Sequence, residues 1–198
     1  RTSYITIPLV GYGKSGAEGL ISELEKESKT RFNEKLVTFK GTLLYSDGKT
    51  LLQIDKHDSP LVAIAEANTN DLAVDLQELG TLQLNGEVVD PKCYFGVMKP
   101  GHGKPHRDCA ARCIAGGISA VFWVRNAKGQ SDYYLILDED GQKMNAELKD
   151  HIGEPLSLSA KAVRFNDWII LYADKASIKR NNTLSWIKSP GEAISCTP

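Results

Sequence analysis

Hydrophobic and polar positions alternate along most of this chain, the period of half-buried strands, and four stretches depart towards helical spacing. Tyr4 to Val10 reads as a short strand, and Pro8 within it predicts a sheet edge, where a missing amide donor breaks no ladder. After the glycines at 11, 13 and 16, Leu20, Ile21 and Leu24 predict a surface helix from Ala17 to about Glu34 with one buried stripe. Lys35 to Tyr45 and Lys49 to Ile54 flank Ser46-Asp47-Gly48 and predict a hairpin around an Asp-Gly turn. Leu61 to Ala65 is a further strand. Asn68 to Leu79 fits either period and is assigned a short helix.

From Gly80 the alternation becomes more regular. Strands are predicted over Thr81 to Val89, Ala120 to Arg125 and Tyr133 to Leu137, with a turn at Asn126 to Gly129. Met144, Leu148 and Ile152 form a helical stripe that Gly153 ends, as a glycine just past a helix does. Strands Leu156 to Val163 and Trp168 to Tyr172 follow around Asn166-Asp167. The order β-β-β-α-β-β is that of an OB-fold barrel. The expected fold is therefore mainly β: an OB-like β-barrel with an N-terminal helix and extra strands. The expected division is a region of strand, helix and hairpin over 1–79, the barrel over 80–178 and a tail over 179–198. Val37 to Asp55 and Leu156 to Asp174 share alternation and a central turn, so a weak internal repeat, with a partial second barrel in the first region, stands beside the reading of two unrelated hairpins.

The 198 residues carry 24 Lys plus Arg against 25 Asp plus Glu, a formal charge of −1. That balance lacks the broad positive footprint of a protein that binds duplex nucleic acid. No stretch approaches the roughly 18 apolar residues that a membrane span requires, so the chain as given is expected to be soluble. It begins at Arg1 rather than Met, and is read as a processed product or the soluble part of something longer.

Three of the four cysteines, Cys93, Cys109 and Cys113, lie close together beside His102 and His106. Pro105 is placed as the first residue of a helix, and Gly116-Gly117 closes it, so His106 to Ile114 is expected to be helical. His106, Cys109 and Cys113 then stand at i, i+3 and i+7, on one face. Thiolates and an imidazole so gathered, with Cys93 returning from the loop, make a four-ligand set for zinc or monovalent copper, and His102 is the reserve ligand. The alternatives are a disulfide from Cys93 to Cys109 or Cys113, and buried thiols that only pack. A disulfide has no need of the imidazoles, which favours the metal. Thiol-disulfide exchange by Cys109 and Cys113 is a third possibility.

The run Cys93-Tyr-Phe-Gly-Val-Met98, Pro100-Gly101, Gly103-Lys104, His106, Cys109-Ala110, Cys113-Ile114 and Gly116-Gly117-Ile118 resembles the core of an uncharacterised family of bacterial cell-envelope proteins. The resemblance covers residues 80 to 175, and the hairpin at 35 to 56 more loosely. It implies a membrane-anchored protein with its soluble part in the periplasm or on the extracytoplasmic face, and no chemistry. Where that family often has Pro-Pro after Gly-Gly-Ile, this chain has Ser119-Ala120, a difference at strand entry that leaves the candidate ligands alone. Respiratory copper proteins also use Cys-x-x-x-Cys with a nearby His, but there the His follows the cysteines, so the likeness is one of analogy. The expected role is a metal-binding domain accessory to a membrane redox or assembly complex, with an OB-like assembly module as the alternative.

Other signals are weaker. Gly96 to Lys104 lacks the phosphate-loop spacing, and Pro105 stands where its hydroxyl residue would be. No Gly-x-Ser-x-Gly elbow supports a hydrolase triad around His57 and Asp58. Lys92, Lys99, Lys104, Arg107 and Arg112 with Tyr94, Phe95 and Trp123 are a weak single-strand nucleic-acid signal, set against Tyr94 and Phe95 simply packing on the barrel. Asn181-Asn182-Thr183 has the form of a sequon, idle in a bacterium. Cys196 is read as unpaired or joined to a partner.

Overall fold

Alternating side chains on both faces of a twisted sheet are accommodated when the sheet closes on itself, and five strands of this chain do so. The computed structural model describes residues 5–46, 48–56, 59–68, 74–125 and 129–181. Cys196, His57, Asp58, Asn126 and most of the sequon therefore lie outside the described residues.

The barrel strands are β6 (Leu76–Val89), β7 (Val121–Arg125), β8 (Ser131–Asp138), β9 (Leu156–Phe165) and β10 (Trp168–Ala173). They are hydrogen-bonded in the cycle β6-β7-β8-β10-β9-β6. The β8–β10 pair is parallel and the others are antiparallel. A helical segment, α3 (Asn145–Leu148) running into a 3-10 turn at Lys149–His151, joins the third barrel strand to the fourth. This is the predicted order, and the barrel is closed. Its interior holds Leu84, Val88, Phe122, Val124, Tyr134, Ile136, Leu158, Ile169 and Leu171, with Met144, Leu148 and Ile152 in the same cluster. The helical stripe is thus buried as expected, but on a single α-turn, and Gly153 ends it at φ 75°.

Outside the barrel, β1 (Leu9–Val10), β3 (Gly41–Ser46) and β4 (Lys49–Ile54) form a sheet in the order β1-β4-β3, while β2 (Lys35–Phe39) pairs with β5 (Leu61–Glu66). The hairpin is present as β3–β4. Its first strand is not the single run predicted over 35–45, because the chain changes sheets at Lys40. There the amide of Lys40 donates to the carbonyl of Pro60, and its carbonyl accepts from Asp55. Gly41 follows because a Cβ would press on the backbone of Gln53. Of the two stretches that share alternation, 37–55 runs from β2 through the β3–β4 hairpin and 156–174 holds the β9–β10 hairpin, in different sheets.

Three other expectations change. The N-terminal strand shrinks to Leu9–Val10, and Thr6 instead ties down the β9–β10 turn: its amide donates to Asp167 Oδ1 at 2.6 Å, and its carbonyl accepts from the Trp168 indole at 2.9 Å. Helix α1 (Glu18–Ser28) stops where Lys29 turns left-handed at φ 52°. No helix occupies the described part of 68–79. Leu76 already pairs with Phe165, so β6 is a 14-residue strand, and Gly80, at φ 84°, sits beside a register shift in its pairing with β9. The ambiguous period is decided by the partner strand, as β propensity generally is.

The outward face of β7 and β8, which in OB-folds receives ligands, is covered by this chain itself. Val121, Trp123 and Tyr133 form a second cluster with Val89, Phe95, Trp168 and Leu51 from β4, edged by Leu44, Tyr94 and Leu135. Tyr94 lies edge-on to Phe95 and Tyr133, with ring centroids 6.1 and 5.2 Å apart. The two aromatics therefore pack the first barrel loop down. Among the described residues no helix is long and apolar enough to cross a membrane.

Candidate metal centre

The loop between β6 and β7 carries the cysteines, and its local structure follows from its punctuation. Directly after β6, Cys93–Val97 winds into a π-helical turn, a geometry frequent at functional sites. A 3-10 turn at Lys104–His106, with Pro105 in its middle, then leads into α2 (Arg107–Ala115), and Gly116 caps it. The predicted helix is present, but His106 belongs to the tighter 3-10 turn that precedes it.

That change of winding alters the ligand set. A continuous helix would stack His106 above Cys109 and Cys113. Instead two triads form that share Cys93: the sulfurs of Cys93, Cys109 and Cys113, and an oxygen of Asp90 with Cys93 sulfur and a ring nitrogen of His106, each triad within 4.8 Å. The sulfurs of Cys93 and Cys109 are 3.9 Å apart. All three cysteines are free thiols, so no described pair forms the alternative disulfide. Cys93 and Cys113 are buried with Val10 and Ile118, and Cys109 is half-exposed at the edge of that cluster. His102 joins neither triad. Its ring stacks on Trp123 with centroids 4.7 Å apart.

The polar groups beneath the sulfurs are poorly satisfied. His106 is 2% exposed, and neither of its ring nitrogens has a hydrogen-bond partner. Asp90 is fully buried; its Oδ1 accepts the Lys92 amide at 3.0 Å, while Oδ2 is orphaned. A buried polar group without a partner costs about 1–3 kcal/mol, and both residues lie within reach of the Cys93 sulfur. Burial holds His106 below the usual imidazole range, partly opposed by the Asp90 carboxylate, which favours the neutral ring that a metal needs. The Cys93 thiol is pushed well up by its hydrogen bond with Cys113, by burial and by Asp90.

Two lysines bracket the sulfurs. Lys14 Nζ is 2.9 Å from the sulfur of Cys109, and that contact raises its pKa above the ordinary value. Lys92 is buried, its ammonium donating to the carbonyls of Gly11 at 2.9 Å and Gly13 at 2.6 Å. Burial lowers its pKa, against the pull of Asp90, Cys113 and Cys93. Lys92 thereby pins the 11–14 loop that delivers Lys14. The loop is seated from the other side by the Gly16 amide, which donates to the Gly116 carbonyl at 2.9 Å.

Gly116 is required for this seat, since a Cβ would meet the backbone carbonyl of Lys14. Gly116→Ala is therefore expected to destabilise the protein by about 2 kcal/mol and to move Lys14 off Cys109. A lowered urea midpoint, with faster alkylation of Cys109 in the folded state, would report both effects; an unchanged midpoint would contradict the close approach.

Sequence reasoning missed Asp90, Lys14 and Met98, whose thioether sulfur lies 3.4 Å from Cys109 sulfur. Met98 stood inside the cysteine run and was readable there as a soft donor. Lys14 gave no signal, being 95 residues from its partner. No family model, curated protein or solved structure matches the chain.

Proposed function

We propose that this chain is a metal-binding domain that holds a transition ion, copper or zinc, through Cys93, Cys109 and Cys113, with His106 and Asp90 completing the donor set from below. The observation that carries this reading is the fully unpartnered imidazole of His106, buried against Cys93 and Asp90. Thiolate and imidazole donors suit both ions. Loading releases the Cys93 proton, so uptake is accompanied by acidification of an unbuffered solution. The resemblance of the cysteine run supports placing the domain on the extracytoplasmic side of a bacterial membrane, as an accessory to a redox or assembly complex.

Equilibrium loading of the reduced protein, followed by gel filtration and elemental analysis, is the test. One ion per chain is expected for the wild type, and none for Cys109→Ser combined with Cys113→Ser. Absence of stoichiometric metal in the wild type, or its full retention in the double variant, would refute the reading.

The 3.9 Å sulfur separation favours a second reading, thiol-disulfide exchange, with Cys93 rather than Cys113 as partner of Cys109. Peptide mapping after mild oxidation with a disulfide reagent would reveal a Cys93–Cys109 bridge; three free thiols would exclude it.

A further inference from the structure

The chain has two methionines, and they occupy opposite environments. Met144 is completely buried in the barrel core, while Met98 is 42% exposed. A lone exposed apolar side chain needs no explanation. Met98 differs because its sulfur is in contact with the sulfur of Cys109, the one thiol of the triad that reaches solvent. Its position is also held by the site, since the Met98 amide donates to the Cys93 carbonyl at 3.2 Å, closing the π-turn that begins at Cys93. The same turn thus presents a buried thiol at one end and an exposed thioether at the other.

We propose that Met98 is a ligand at the mouth of the thiol triad and that it makes the site selective for a soft monovalent ion, of the class of Cu(I). This inference rests on the metal-binding reading above. A thioether is neutral, soft and weakly basic. It binds monovalent copper well, whereas zinc is served by thiolate, imidazole and carboxylate. With Met98, the sulfur donors number four, three thiols and one thioether, and the ion reaches the buried pair Cys93 and Cys113 by way of the two solvent-facing sulfurs, Met98 and Cys109. His106 and Asp90 stay with Cys93 in the second triad, within 4.8 Å of one another.

The test uses the full chain with both methionines replaced by selenomethionine, reduced and loaded anaerobically with one equivalent of Cu(I). X-ray absorption at the selenium edge is expected to show a copper neighbour, and the signal should vanish in Met98→Leu. In competition with a Cu(I) chelator, Met98→Leu is expected to bind Cu(I) roughly 10- to 100-fold more weakly, with zinc affinity changed less than about twofold, a split that general misfolding would not produce. Absence of selenium–copper scattering, an unchanged Cu(I) affinity or an equal loss for both ions would overturn the assignment of Met98. In each of those outcomes the wild type still binds metal and the donor set of the preceding section survives; if the wild type takes up neither ion, both readings fail together.

Discussion

Cys93→Ser is expected to abolish stoichiometric loading, lowering affinity for zinc or Cu(I) by roughly a hundredfold or more. Structural zinc binding is worth about 10–16 kcal/mol spread over four ligands, or roughly 3 kcal/mol each, and a factor of ten corresponds to about 1.4 kcal/mol. Cys93 exceeds this average because both triads contain it. A serine hydroxyl there neither bridges to Cys109 and Cys113 nor faces His106 and Asp90 as a soft anion. Cys109→Ser is expected to be milder, since Cys109 is half-exposed and solvent can replace it. Competition with a chromophoric chelator at fixed pH gives both affinities. Equal losses for the two variants would mean that Cys93 is an ordinary member of one cluster rather than the link between two. The variant should fold, because serine is smaller than cysteine and only one buried sulfur is lost.

The second large effect concerns stability rather than binding. Glu87 lies on β6 opposite Trp123 and is 1% exposed. Its Oε1 accepts the Gly103 amide, and Oε2 has no partner. Burial pushes its carboxyl up to about 7, against the opposing pull of the Gly103 hydrogen bond. Because the folded value lies above the unfolded one of 4.5, Glu87 favours the folded state most below the unfolded value, and this contribution is lost as pH rises through about 7. The gap between the two values, at about 1.36 kcal/mol per pH unit, amounts to about 3 kcal/mol by about pH 8. Glu87→Gln keeps an oxygen for Gly103 and removes the titration. Urea unfolding of the metal-free protein should therefore show the wild type losing stability relative to Glu87→Gln between about pH 5 and pH 8, the difference between the two cancelling the opposite pH dependence of the His106 and His102 imidazoles. A difference between wild type and variant that stays constant over that window would contradict the burial argument.

Much of the architecture was legible because the barrel strands are short apolar or alternating runs whose turns carry polar or glycine signals. Trp168 to Ala173, Val121 to Arg125 and the Met144–Leu148–Ile152 stripe needed no more than periodicity. Failures occurred where partners decide. Residues 76–79 are strand because β9 lies beside them, and the run from Lys35 to Tyr45 breaks at Lys40 because two different sheets claim its two halves. In the site, the clustering of Cys93, Cys109 and Cys113 was readable from spacing, whereas the position of His106 was not. One residue of 3-10 winding turns a side chain away from the face that an α-helix would give it, and a pattern of spacings carries no record of that.

By itself, then, the amino-acid order determined the barrel's strand sequence, the helical turn bearing the cysteines and the concentration of soft donors in one loop, since all three follow from local periodicity and turn chemistry. Only the tertiary structure decided that Lys14 meets Cys109, that His106 and one oxygen of Asp90 are sealed without partners beside Cys93, that His102 stacks on Trp123, and that the outward face of β7 and β8 is covered by β4 and the first loop. Those contacts join segments far apart in the chain, and their geometry is set by how the loop and the N-terminal sheet fold onto the barrel, which no local pattern encodes.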